Sequence, residues 1–339
     1  MNLPMTEIVG NENLRRRLCD DILAGSVSHA YIISGQHGSG KHTVAMMCAA
    51  ALACENKGKD GYSFPCCECP SCRKILEKKS PDIYTIEKSR ASVKVDQIRE
   101  LRRGVRYLPN ELDHKIYIIE DTQTMTPQAQ NALLLTLEEP PSYIIFFLLC
   151  ESEEKLLETV KSRAPMLRTE PISYEKIKEY LLTHSEDAKK LNAAKPSEFD
   201  AVISIANGSI GRAIELIDEK TRQPSIKQRG TAEQLVTLAL SKNTLALAEL
   251  VAMLPTKQDE LFPILTYAET LLRDLILLKK SEDAVLCFYS DREKAIELSY
   301  STSLSTILSL YSQIGKTKDT LQRNANIKLT LSVMLANIQ

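Results

Sequence analysis

A chain of 339 residues, 43% hydrophobic and with a formal net charge of −1, is long enough for two or three packed domains and carries no global field to recommend a polyanionic partner. No apolar run approaches the roughly 20 residues that cross a bilayer, and the opening "MNLPMTEIVGNENLRRRL" has no apolar signal core, so a cytoplasmic protein is expected. Of the nine cysteines, four fall within residues 66–72, which favours a metal site in a reducing compartment over a disulfide scaffold.

In chain order, "NENLRRRLCDDILAG" (11–25) has apolar residues at helical spacing and a stop at Gly25. The β-rich run "HAYIISG" (29–35) leads through a glycine turn into the helical "KHTVAMMCAAALAC" (41–54). Further strands are expected at 82–87, 115–121 and 143–150, each apolar on both faces. Strands of that kind, separated by helical patterns, predict a parallel sheet between helices. Between the last two, "MTPQAQNALLLTLEEPP" reads as a helix capped by Thr126, with Pro127 in its first turn. Beyond residue 170 the pattern is helical throughout: a small helical domain to about 220, a polar linker at "EKTRQPSIKQRG" (219–230), and an all-helical remainder from Thr231 to Gln339.

"GQHGSGK", Gly35 to Lys41, has the spacing of a phosphate-binding loop, with the required strand before it and helix after it. Gly35, Gly38 and Gly40 let backbone N–H groups turn toward phosphate oxygens, Lys41 adds a point charge, and the helix N-terminus adds its dipole. The next residue should be a hydroxyl that holds Mg²⁺, and it is His42. Thr43 offers a hydroxyl one step later, turned by roughly 100° on the helix. Phosphate binding fits these residues and Mg²⁺-dependent hydrolysis does not; whether the loop takes nucleotide at all stays open. The strand "KIYIIED" ends in Glu120-Asp121, the reverse of the Asp-Glu order that a hydrolytic site wants. A working pair and two solvated carboxylates are equally good readings of it.

Cys54, Cys66, Cys69 and Cys72 have the spacing C-x11-C-x2-C-x2-C. Four thiolates on a loop with Gly and Pro suit a closed tetrahedral, structural zinc. Cys67 lies inside the cluster, where it could substitute for a neighbour.

Taken together, "GQHGSGK", the cysteine module, "IYIIED", "NALLLTLEEPP" and "KSRAP" resemble, in that order, the clamp-loader subunits of bacterial DNA polymerase III, a branch of the AAA+ family. The likeness covers residues 5 to about 220. It implies an AAA+ α/β domain over 1–170 with a zinc module at 54–72, a helical lid over 171–222 and an all-α collar over 223–339. Motor subunits of that family have Thr after the loop lysine, Asp-Glu after the second strand and Arg directly after "GS-x" in the lid. Here stand His42, Glu120-Asp121 and, in "GSIGR", Gly211 with Arg212 one place later. The resemblance is therefore sharpest to the delta-prime type, a stator with no ATPase of its own inside a DNA polymerase III holoenzyme. It implies that Arg163 of "SRAP" acts as an arginine finger on ATP held by a neighbouring motor subunit, although Ala164 stands where the family has cysteine. The expected partners are the motor subunits, a clamp-opening delta-type subunit and, indirectly, the sliding clamp and primed DNA.

Two other readings stand beside it: an active gamma/tau-like ATPase that makes do with Thr43 or a water, and a zinc-dependent DNA-binding module. The second draws on eleven Lys/Arg against five Asp/Glu between Arg73 and Arg106, a stretch that a solvated helix face explains more readily.

Overall fold

The computed structural model describes the chain except residues 1–4, 6–7, 60–63, 90–91, 242, 282–283, 285, 287, 290, 324 and 339. The chain divides into two units, Met1–Glu170 and Pro171–Gln339.

The first unit runs α1 (Glu12–Leu23), β1 (Ala30–Ser34), α2 (Lys41–Leu52), α3 (Pro70–Leu76), β2 (Ile83–Ile86), α4 (Val95–Gly104), β3 (Lys115–Ile119), α5 (Pro127–Glu138), β4 (Ile144–Cys150), α6 (Glu158–Lys161) and β5 (Met166–Arg168). Its five strands form one parallel sheet in the order β2-β3-β4-β1-β5. Alternate residues of β1, β3 and β4 feed two cores. Tyr31, Ile33, Ile116, Ile118, Ile145 and Phe147 pack with α1, α2 and the cysteine loop on one face. Ala30, Ile32, Tyr117, Ile119, Phe146 and Leu148 pack with α4, α5 and α6 on the other. A strand buried on both sides has no room for charge, so polar side chains collect at the strand ends.

The parallel sheet and the helix N-cap at Thr126, whose hydroxyl accepts from Ala129 N at 3.2 Å, follow the sequence pattern. Two details differ. β2 is the sheet edge and is only half-buried, with Tyr84 38% exposed, so it is not apolar on both faces as expected. β5, three residues long, was not foreseen.

Asp82 at the entry to β2 is fully buried. Its carboxylate accepts N–H groups from Asn110, Glu111 and Leu112 at 2.6, 2.7 and 3.0 Å and the Asn110 amide at 2.9 Å, pinning the loop that enters β3. Burial alone would raise its pKa, yet these four donors hold it below the usual carboxylate value.

The second unit is helical: α7 (Tyr174–His184), α8 (Glu186–Ala194), α9 (Pro196–Ile205), α10 (Ile210–Ile217), α11 (Glu219–Leu240), α12 (Thr244–Met253), α13 (Gln258–Leu278), α14 (Arg292–Ser301), α15 (Leu304–Gln322) and α16 (Ile327–Ile338). The linker expected at 219–230 is instead the first half of α11, with Pro224 inside it. Its two arginines are held by protein partners, while Glu219, Lys220 and Lys227 are exposed. Arg222 is buried and donates to Glu198 and to the Ile217 carbonyl at 3.0 and 2.7 Å, and Arg229 donates to the Phe288 carbonyl at 2.7 Å while lying over that ring. Among the described residues, no helix is long and apolar enough to cross a membrane.

Asp82→Asn places an amide among N–H donors and is expected to cost about 1–3 kcal/mol in urea unfolding near neutral pH. Because the folded pKa is depressed, this contribution is present above the unfolded value of about 3.9 and is lost as pH falls through the folded value. The wild-type and variant stabilities should therefore converge in acid.

Candidate functional site

The carboxyl ends of β1, β3, β4 and β5 bring together Gly35–Lys41, Glu120-Asp121, Glu151 and Thr169. The loop after β1 has the backbone that a phosphate cradle needs. Gly38 and Gly40 take φ of +70° and +85°, conformations that L side chains rarely adopt. Gly35 lies so close to Thr169 that a Cβ there would sit 1.8 Å from its Oγ1. That hydroxyl also donates to Ser39 Oγ at 3.0 Å, tying β5 to the loop.

The side chains, by contrast, are occupied. Lys41 Nζ donates to the carbonyls of Gly35 and Gln36 at 2.7 and 2.9 Å. Burial lowers its pKa, against the raising influence of Glu151, Cys150, Asp121 and Glu120. His42 Nδ1 lies 2.7 Å from Glu120 Oε1, outside hydrogen-bond geometry. Asp121, in a left-handed conformation with φ of 48°, is 3.0 Å from Lys88 Nζ, whose pKa it raises. Thr43 is exposed on the outer side of α2. The set is not one that suits a hard cation with oxygen ligands: an imidazole stands where the hydroxyl belongs, and both carboxylates already face protein nitrogen groups.

Arg163 follows α6 and is not brought into this cluster. Its guanidinium donates to Glu138 Oε1 at the end of α5 and to the Thr159 carbonyl, both at 2.8 Å, with its side chain 32% exposed. Ala164 beside it is buried in the core against the sheet. Arg212, at the start of α10, pairs with Glu215 at 3.0 Å and donates to Ser225 at 3.3 Å.

The four expected thiols do meet. The sulfurs of Cys54, Cys66, Cys69 and Cys72 all lie within 4.8 Å of one another, and all four residues are buried. A tetrahedral zinc with Zn–S near 2.3 Å requires sulfurs about 3.8 Å apart; Cys66 and Cys72 are 4.0 Å apart. Backbone N–H groups of Cys69 and Cys72 donate to Cys66 and Cys69 sulfurs at 3.4 Å. Burial opposes ionisation of Cys66, but N–H donors from Cys69 and Glu68, with Cys54 and Asn56, bring its pKa down to about 6; burial pushes Cys54 and Cys72 up. The cluster fits a zinc ion. Cys67, half-buried, turns its sulfur toward the Pro65 carbonyl at 3.6 Å, away from that role.

Lys88 and Glu138 escaped sequence reasoning. Lys88 sits in the basic stretch 73–106, several of whose charges the structure pairs: Lys74 with Glu111, Lys79 with Glu77, and Arg99 with Asp96. Arg90 lies outside the described residues.

The sequence profile of the family described as "DNA polymerase III, delta subunit" matches residues 10–173. DNA polymerase III subunit tau of Bacillus subtilis is 32% identical over 213 residues, 63% of this chain and 37% of that protein. DNA polymerase III subunit gamma of Buchnera aphidicola subsp. Schizaphis graminum is 31% identical over 232 residues, 68% of this chain and 62% of that one. The chain thus spans little more than a third of the tau subunit. Among solved structures, it is similar to a gamma subunit-related protein of Thermotoga maritima, at 19% identity, 96% and 98% coverage and a TM-score of 0.39. It is also similar to the Bacillus subtilis DNA clamp loader delta protein, at 12% identity, 95% and 98% coverage and a TM-score of 0.35. The parallel sheet with a phosphate loop at its carboxyl edge defines an α/β protein of the nucleotide-binding type. Over residues 10–173 the chain carries the profile of the family described as DNA polymerase III, delta subunit, and it is similar to the tau and gamma subunits of that polymerase.

Gly35→Ala is expected to lower stability by about 1–3 kcal/mol, as overpacked cores do. Adding Thr169→Ala, which removes the nearest colliding atom and leaves Ser39 Oγ at 2.9 Å, should restore part of the loss in thermal unfolding.

Proposed function

We propose that this chain is a delta-prime-like stator of the replicative clamp loader, one that supports ATP-dependent loading of a sliding clamp onto primed DNA without turning over ATP itself. The observation that carries the proposal is the state of the phosphate loop: Lys41 is held on its own loop's carbonyls and His42 meets Glu120 directly. A motor needs the lysine on phosphate and a metal between hydroxyl and carboxylate.

In this reading Arg163 does the chemistry, in trans. A guanidinium stays charged at any working pH, forks onto phosphate oxygens and stabilises the charge that develops on them. It would exchange Glu138, a partly exposed partner worth little in water, for the γ-phosphate in a neighbouring motor subunit. The Cys54, Cys66, Cys69, Cys72 cluster would hold a structural zinc, with every position filled by protein and none left for a substrate. The same proposal takes 171–222 as the lid and 223–339 as the oligomerising collar, joined through the unbroken α11. It also takes motor subunits and a delta-type subunit as direct partners, and the cytoplasm as the setting.

The names of the relatives favour one alternative, a gamma/tau-like motor. Against it stand His42, Glu120-Asp121 and Gly211, and the counterions that the first two already have.

In a loader reconstituted with the motor and delta-type subunits, Arg163→Ala should lower DNA-stimulated ATPase by about 10²–10³, the usual cost of one transition-state donor, with assembly by gel filtration unchanged. Unchanged ATPase would remove the finger from the account. Metal analysis of the chain should find one zinc per molecule, and Cys72→Ser should release it and lower the melting temperature. A metal-free chain with four reactive thiols and unaltered melting would contradict the zinc reading.

A further inference from the structure

The cradle of the phosphate loop is intact while its metal site is not. Gly35 keeps the close approach to β5, and Gly38 and Gly40 keep their positive φ angles. The residues that depart from a working motif are His42 and Glu120-Asp121, and the contacts they make lie between α2, the loop after β2 and the end of β3. His42, on the first turn of α2, meets Glu120 at 2.7 Å; Lys88, from the loop after β2, meets Asp121 at 3.0 Å. Each contact is between elements far apart in sequence, and each removes one of the two carboxylates that a divalent ion would use. The remaining acids at this edge are matched as well: Glu151 lies 3.6 Å from His37 Nδ1, and Glu153 is paired with Arg168.

We propose that the His42 imidazole and the Lys88 counterion stand where Mg²⁺ stands in a working loop, so that the loss of the metal site resides in these two side chains and is reversible by replacing them. The inference rests on the stator reading and deepens it by naming what closes the site. Mg²⁺ takes oxygen ligands in near-octahedral geometry and sheds its water reluctantly. It will not replace an imidazole on Glu120 and an ammonium on Asp121 for the sake of one remaining carboxylate oxygen. Threonine at 42 supplies the missing hydroxyl and frees Glu120, and alanine at 88 frees Asp121. The loop needs no rebuilding, because its glycines already hold the backbone.

The test is equilibrium binding of the fluorescent ribose-labelled analogue mant-ATP to the full chain, in Mg²⁺ and in EDTA. The wild type should bind weakly or not at all, with no difference between the two conditions. His42→Thr should bind more tightly in Mg²⁺ than in EDTA by roughly tenfold, equivalent to about 1.4 kcal/mol, and His42→Thr/Lys88→Ala should widen that ratio. A variant with no Mg²⁺ dependence, while its circular dichroism and melting match the wild type, would overturn the counterion proposal and leave the stator reading intact. Mg²⁺-dependent binding with turnover by the wild type would overturn the stator reading itself. Should the double variant fail to fold, His42→Thr alone decides, since misfolding cannot create metal-dependent binding.

Discussion

Burial of both faces of the parallel sheet is the constraint on which the first unit depends. Apolar side chains of β1, β3 and β4 point alternately into two cores, and the direction left for polar chemistry is along the strands to their ends. Glycines at 35, 38 and 40, the acids at 120 and 121, and Thr169 are all found there because the sheet excludes them elsewhere. The same packing presses α2 so closely on the sheet that Val44 through Ala51 are buried without a break, which is why that helix is built of Ala, Met and Val and shows no polar face.

Electrostatics then decides what the assembled edge can do. A phosphate loop with its lysine, a hydroxyl and a free carboxylate is an open demand for a metal–phosphate complex. In this chain that demand is met internally: loop carbonyls hold Lys41, Lys88 holds Asp121, and the His42 ring lies against Glu120. These contacts are partly exposed and individually weak, so their effect is on occupancy of the site rather than on stability of the fold. Stability rests instead on the two cores and on fully buried anchors such as Asp82.

How much of this was legible in the sequence followed from how local each signal is. The four long strands, the glycine turn and the Thr126 cap are written in consecutive residues, and the four thiols lie close enough in sequence for one short loop to gather them. β5 was invisible because three residues between Pro165 and Thr169 are too few to show a period. The edge position of β2 depends on strand order, which "DIYTIE" does not encode. The polar run at 219–230 has the composition of a linker, yet Arg222 is buried on Glu198 of α9 and the half-buried Arg229 binds the segment at Phe288. Lys88 and Glu138 were missed for the same reason: each acts through a contact to a residue 25 or more positions away.

The central claim is that the engine of this loop is stopped while its frame is kept. The most direct test is Mg·ATP turnover by the purified, zinc-loaded chain beside a Lys41→Ala control. The account predicts that the two are indistinguishable and at background; turnover by the wild type that vanishes in Lys41→Ala would contradict it and make this chain a motor.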